Sequence, residues 1–412
     1  MKLFLDVSPL FAATASREER RLALLLAAAL LPRCQSGLYF FDGPRLLPRA
    51  FVEWTLDQAA ADPDTGAHLR MESAQQVQSG QVSKALSKYE SDACVGLHVA
   101  PALRARENET GAAYGFDFDI QYLVDLAPLR FPELFGGASS GGASEGDTQT
   151  ALWAELGIRW LSEMALTLVP SAAMSRGIAT LAATDQPVPT AIAEPAVLAP
   201  TRGAALAAWG PVATPPHLVA LIEPGPLGNA ELVLEALRRH SSAFARLPVR
   251  LLVSPGTRAE VPPDLGPLAS VQIVRSDDAC RAELCRAAAA ILPRLHDPSG
   301  RWAVEAGCLG VPVIAAASGA LPEMADGETT EFFDAVSPSA LADAVMRQLE
   351  RRLDTADRDA LGERMAEADG LGRFAESVLD AVMRVVDGRV DDHLSAAAAR
   401  ARFEAIAERV AS

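Results

Sequence analysis

An α/β protein built as two successive doubly wound halves is what this sequence predicts, on three observations. A chain of 412 residues is too long for one comfortable core, so two domains of ordinary size are expected. Short apolar runs alternate with helix-length segments in both halves, the pattern of parallel sheets whose strands are covered on both faces. An Ala-, Gly- and Pro-rich break, TRGAALAAWGPVATPP from Thr201, interrupts that rhythm, which puts the domain boundary within Ala199–Pro216.

In the first half the strand candidates are KLFLDV (Lys2–Val7), GLYFF (Gly37–Phe41), CVGLHV (Cys94–Val99), IQYLV (Ile120–Val124) and LTLV (Leu166–Val169). The apolar run Leu22–Leu31 is only ten residues long, sits behind the charged REERR stretch and follows a strand. A buried helix therefore fits it, and a membrane span or signal peptide does not. GGASSGGASEGDTQT (Gly136–Thr150) is low-complexity and reads as a surface loop. The second half repeats the rhythm with HLVALI (His217–Ile222), a helix over Ala230–His240, then RLLV (Arg250–Val253), VQIV (Val271–Val274), AAIL (Ala289–Leu292) and VPVIA (Val311–Ala315). Val233, Ala236, Leu237 and His240 share one face of that helix.

Charge and composition exclude several classes of function. A net charge of −16 argues against a nucleic-acid surface, which needs clustered cations. The three lysines (Lys2, Lys84, Lys88) all precede residue 89, against 34 arginines, so the C-terminal half can hold neither a Schiff-base lysine nor a Walker-type phosphate loop. Cys34, Cys94, Cys280, Cys285 and Cys308 are scattered and odd in number. They imply a reduced, cytoplasmic setting and offer no zinc site of familiar spacing.

Two doubly wound halves imply a cleft between them, and ligands bind outside the carboxyl ends of such strands. The loop after AAIL satisfies that rule. It carries Asp297, then Pro298-Ser299-Gly300, then the start of a helix at Arg301. Such a loop offers backbone N–H groups and a positive helix end to a phosphate. Glu305 inside the helix reads either as the acceptor of two hydrogen bonds from a ribose diol or as a carboxylate capping a neighbouring amide. Arg294 and Arg301 flank the loop as candidate cations, though Arg294 equally suits a solvent-facing strand end.

From Asp297 the sequence runs D-P-S-G-R-W-A-V-E-A-G-C-L-G-V-P-V-I-A, then G-A-L-P-E (Gly319–Glu323). This resembles the pattern E-G-F-G-x-x-x-x-E-A-x-A-x-G-x-P-V-I-A followed by G-x-x-P-E of the family 4 glycosyltransferases, whose architecture of two Rossmann-like domains and an interdomain cleft is called GT-B. Other stretches are similar in the same order: LFLDVSPL (Leu3–Leu10), VDLAPLRFPELF (Val124–Phe135), LVPSAAMSRGIATL (Leu168–Leu181) and ALIEPGPLGNAELVLEAL (Ala220–Leu237). The resemblance implies residues 1–205 as an acceptor-side domain, 206–390 as a nucleotide-sugar domain, and 391–412, with a helix at Leu394–Val410, crossing back to the first. It also implies transfer of a sugar from a nucleotide-sugar to a glycan, lipid-linked or protein acceptor, with retention of configuration and no metal or other cofactor. At most a peripheral membrane association follows. Asp297 matches the family's acid near the transferred sugar, so it is the catalytic candidate. Glu305 matches the ribose-holding glutamate, and Ser299, Gly300, Arg301, Arg294 and Glu323 complete the donor side. Asp125 and His98 are the acceptor-side candidates, with His98 also reading as a core histidine.

Four departures from the pattern define a degenerate donor site. Gly225-Pro226-Leu227-Gly228 stands where the family has an Arg–Lys pair that neutralises the donor diphosphate. Asp297 is one methylene shorter than the family's glutamate. ATASREER (Ala13–Arg20) replaces a glycine-bearing loop, and Val124 replaces a histidine. Fixed cations at a leaving diphosphate contribute several kcal/mol, typically about 3–4. The competing expectation is therefore a non-catalytic GT-B subunit that binds a partner glycosyltransferase or its acceptor. Epimerases and phosphorylases of the same fold are further alternatives, the phosphorylases disfavoured by the missing lysine.

Overall fold

The computed structural model describes residues 1–11, 17–34, 37–43, 45–61, 80–86, 88, 92–99, 116–131, 161, 164–181, 188–197, 199–209, 216–254, 261–351, 353–368 and 370–388. Both Gly136–Thr150 and the segment 391–412 lie outside these residues. The chain forms two compact units. Among the described residues, one comprises those of Met1–Ala196 with the Leu371–Val386 helix, and the other those of Val197–Gly370.

The first unit holds β1 (Lys2–Asp6), β2 (Leu38–Asp42), β3 (Arg45–Leu47), β4 (Gly80–Gln81), β5 (Cys94–Val99), β6 (Phe118–Tyr122), β7 (Leu166–Val169) and β8 (Thr190–Ile192). They form one sheet in the order β4-β3-β2-β1-β5-β6-β7-β8. β1 pairs in parallel with both β2 and β5, so strand order reverses there; among the described residues only the β2–β3 and β3–β4 pairs are antiparallel. Alternate residues of β1 serve opposite faces, as strand geometry requires. Leu3 and Leu5 join a core with Leu22, Leu25 and Leu26 of the Arg17–Leu30 helix. Phe4 packs on the other face with Phe41 and Val82.

The Leu371–Val386 helix belongs to this first unit. Phe374, Ala375, Val378, Ala381, Val382 and Val385 recur at helical spacing and are all buried. They pack into the same core as Leu3 and Leu5, with the Phe374 ring edge-on to Tyr122 at 6.1 Å between centroids. No helix among the described residues is long and apolar enough to cross a membrane.

The second unit holds β9 (Leu218–Ile222), β10 (Val249–Val253), β11 (Ala269–Ile273), β12 (Ala289–Leu292), β13 (Val313–Ala316) and β14 (Glu331–Phe333). The order is β11-β10-β9-β12-β13-β14 and every pair is parallel. β9, β12 and β13 are buried throughout. Strand order reverses between β9 and β12, so the crevice of this sheet opens where the loops after Ile222 and Leu292 emerge. The Asp277–Cys285 helix packs beside the Arg301–Cys308 helix, and the latter rests on the Thr355–Ala368 helix through Val304, Cys308, Leu361 and Met365.

The start of the Asp277–Cys285 helix is written into its sequence. Ser276 is extended and its hydroxyl accepts the Ala279 N–H at 3.1 Å, while Asp277 and Asp278 follow in the first turn. A serine cap of this kind contributes about 1 kcal/mol. Ser276→Ala should lower stability by about that amount in denaturant unfolding, with no loss of helix elsewhere.

Candidate functional site

The crevice of the second unit is built from two loops that grip each other. After β9 come Glu223 and the Gly225–Gly228 turn; after β12 come Arg294 and the Asp297–Gly300 loop. The Leu295 N–H donates to the Leu227 carbonyl at 3.0 Å. Asn229, held in the left-handed region at φ 57°, donates from its side-chain amide to the carbonyls of Pro293 and Ala335, both at 2.8 Å. Asparagine is among the few residues that tolerate that backbone region.

Arg294 spans the mouth. Its Nη1 lies 3.4 Å from Glu223 Oε1 and 3.3 Å from Asp297 Oδ2, and its carbonyl accepts the Ser318 hydroxyl at 2.6 Å. The guanidinium is thus a bridge between the loops after β9 and β12 rather than a surface residue at a strand end.

Asp297 is buried, and its Oδ1 accepts the N–H groups of Ser299 at 3.1 Å and Gly300 at 2.6 Å. The carboxylate therefore occupies the amides that the sequence offers to a ligand phosphate. Its main-chain carbonyl accepts the Ala320 N–H at 2.7 Å, which draws the Gly319–Glu323 turn against the loop. Glu323 follows in the first turn of the short Leu321–Met324 helix, half-buried. Asp297, Ser299, Gly300 and Arg294 are brought together at one crevice, with Glu323 on the adjoining turn.

Glu305 and Arg301 lie on the helix that follows the Asp297–Gly300 loop. Glu305 is fully buried, its Oε1 accepting Arg301 Nε at 2.5 Å and its Oε2 accepting Arg281 Nε at 2.9 Å. Arg301, 4% exposed, also binds Asp277 through Nη2 and lays its guanidinium on the Trp302 ring, 4.5 Å from the centroid. Arg281 completes the series by donating to Asp278 at 2.8 Å. Burial pulls the Arg281 pKa down, but the charge of Glu305 and the hydrogen bonds to Glu305 and Asp278 outweigh it and leave the guanidinium more basic than usual. The Arg301 guanidinium, expected from the sequence to serve a ligand phosphate, here lies between two helices against the carboxylates of Glu305 and Asp277. Sequence reasoning missed Arg281. The acid–arginine spacing of DDACR (Asp277–Arg281) was the signal available, but only the packing of two helices brings it to Glu305.

In the first unit, His98 Nε2 lies 2.7 Å from Asp119 Oδ1 and the ring meets Phe41 edge-on at 5.7 Å. It is a buried, partnered histidine. Asp6, at the carboxyl end of β1, accepts the Ser8 N–H at 2.9 Å and also the Ser8 hydroxyl. Burial pushes its carboxyl pKa up, with His98 and the Ser8 hydrogen bonds opposing. Asp125 accepts the Ala127 N–H at 2.8 Å and so begins a short helical turn over Ala127–Arg130.

Two units with parallel-dominant, doubly wound sheets are the architecture of the GT-B glycosyltransferases, and comparison with solved structures agrees. The chain is similar to sucrose-phosphate synthase from Thermosynechococcus elongatus at a TM-score of 0.60 and 15% identity, over 94% of this chain and 100% of that one. It is similar to Alr3699/HepE of Anabaena in complex with UDP-glucose at 0.55 and 12%, over 93% and 99%. For WaaG, a glycosyltransferase involved in lipopolysaccharide biosynthesis, the values are 0.54 and 14%, over 92% and 99%. Residues 223–351 match the family model described as glycosyl transferases group 1. No curated protein matches the chain.

Proposed function

We propose that this protein is a family 4 glycosyltransferase that moves a sugar from a nucleotide-sugar donor to a glycan, lipid-linked or protein acceptor with retention of configuration and without a metal. One observation carries the proposal. The group 1 match begins at Glu223 and spans residues 223–351, the stretch that supplies Glu223, Arg294, Asp297, Glu305 and Glu323. In this account the second unit takes the nucleotide-sugar and the first unit serves the acceptor through Asp125 and His98. UDP-glucose, the ligand of the Anabaena neighbour, is the first donor to try. The scattered cysteines suit a cytoplasmic enzyme.

The leaving diphosphate develops charge as the glycosidic bond breaks, and a fixed cation beside it lowers the barrier. Arg294 is the cation at the crevice mouth with side-chain access, 18% exposed. It would exchange Glu223 and Asp297 for phosphate oxygens when the donor enters. Arg294→Met should therefore slow release of nucleoside diphosphate from a nucleotide-sugar at least about tenfold, or 1.4 kcal/mol. The assay is incubation with UDP-, GDP- and ADP-glucose and measurement of the freed diphosphate; an active wild type with an equally active Arg294→Met removes Arg294 from the mechanism.

A second reading, a non-catalytic subunit that binds a partner glycosyltransferase or its acceptor, draws on a specific observation. Asp297 and Glu305 both have their oxygens engaged by the protein itself, and Gly225–Gly228 carries no charged side chain. Absence of turnover with every donor, together with capture of a GT-B partner, would favour it.

A further inference from the structure

Asp278, Arg281, Glu305, Arg301 and Asp277 form a chain of alternating charge that ties the Asp277–Cys285 helix to the Arg301–Cys308 helix. Glu305 stands at its centre and is fully buried, with one guanidinium on each oxygen. No ligand hydroxyl reaches this carboxylate while both arginines hold it. The two arginines are not equivalent. Arg301 is the first residue of its helix, next to the Asp297–Gly300 loop at the crevice, whereas Arg281 lies on the neighbouring helix. Arg301 also has somewhere to go. Its Nη2 already binds Asp277, a partly exposed acid, and its flat face rests on half-buried Trp302. A swing away from Glu305 costs one ion pair and keeps another.

We propose that Arg301 is a latch on Glu305, shut in this structure, and that a ribose-bearing ligand gains the carboxylate only when the Arg301 guanidinium leaves it for Asp277. The latch rests on the donor-site reading given above and adds a regulatory step to it. Two consequences follow that a merely structural ion pair does not share. A latch closed in most molecules lowers apparent affinity by the fraction open, so about 80% closure weakens binding about fivefold. Removing it should tighten binding even while it loosens the fold. And because Arg301 rests on Trp302, its movement changes the surroundings of that indole.

The experiment is a titration of the full chain with UDP, GDP and ADP, followed by tryptophan emission and by calorimetry, in wild type, Arg301→Met, Arg301→Lys and Trp302→Phe. Arg301→Met should bind the preferred diphosphate about fivefold more tightly than wild type while its thermal midpoint falls. Arg301→Lys, which can reach only one acid at a time, should lie between. The ligand-dependent emission change of the wild type should vanish in Trp302→Phe and in Arg301→Met. A wild type that binds while both arginine variants bind no more tightly overturns the latch and leaves the donor site standing. Should Arg301→Met fail to fold, an Arg301→Lys affinity equal to or below wild type overturns it by itself. If no diphosphate binds to wild type or to either arginine variant at millimolar concentration, the donor site itself falls and the latch with it.

Discussion

Glu305→Gln is expected to cost about 3–5 kcal/mol of folding stability. The size follows from what the carboxylate neutralises. Two guanidiniums, 4% and 11% exposed, converge on it from two helices. Glutamine preserves the volume but returns no charge, and its amide N–H₂ group replaces an acceptor with a donor facing an arginine that has only donors. Arg281 and Arg301 would then face each other across a neutral amide, keeping their contacts to Asp278 and Asp277. A buried pair need not add net stability over apolar residues, but removing one partner leaves an uncompensated charge, and that is the costly case. The measurement is denaturant unfolding of wild type and variant, together with hydrogen exchange of the Asp277–Cys285 and Arg301–Cys308 helices. A loss below about 1 kcal/mol would mean that water or another acid reaches the arginines, and that the network is weaker than its burial implies.

Gly319→Ala is the second large effect, and it acts on the backbone. Gly319 adopts φ 55°, where a side chain costs about 1–2 kcal/mol. A Cβ there would run into the Asp297 carbonyl oxygen and stand 2.6 Å from its amide nitrogen, so backbone must shift. Overpacking of that kind adds about 1–3 kcal/mol, for a total of about 2–5. The displaced group is Asp297, whose carbonyl accepts Ala320 N–H and whose carboxylate orders the Ser299–Gly300 amides. Gly319→Ala should therefore abolish any activity of the crevice as well as lower the unfolding midpoint. Retained activity in a well-folded variant would show that the position of Asp297 is not critical.

The strands buried on both faces were the most legible part of the fold. LFL in β1, AAIL in β12 and VIAA in β13 have no polar face to blur the signal, and helix-length segments between them leave parallel pairing as the economical topology. β3, β4, β8 and β14 are two or three residues long, too short for periodicity to register. The β2–β3 hairpin did leave a trace in Asp42-Gly43, with Gly43 at φ 54° as such turns require. VQIV begins two residues after β11 does, because β11 is an edge strand with exposed Ser270, Val271 and Ile273, so hydrophobicity does not mark where pairing starts.

The crevice was legible because its loop follows a strand at the point where sheet order reverses, and Asp297, Ser299, Gly300 and Arg294 gather there. What each side chain contacts was not. A carboxylate three residues before a glycine reads as a ligand contact, and nothing in the sequence signals that Asp297 Oδ1 also accepts its own loop amides. An arginine at the start of a helix reads as a phosphate cation, and the i,i+4 ion pair that Arg301 makes with Glu305 one turn on is the contact that this reading left out. Arg281 and Asp277 come from a helix more than twenty residues upstream, so the network is a product of packing that no local spacing reveals.

The claim on which the rest depends is that the crevice after β9 and β12 receives a nucleotide-sugar. Calorimetric titration of the full chain with UDP, GDP and ADP, repeated on Arg294→Met, tests it most directly. The account predicts saturable binding of at least one of the three, weakened at least about tenfold, or 1.4 kcal/mol, in the variant. An absence of binding at millimolar concentration for all three, by a folded wild type, would contradict it.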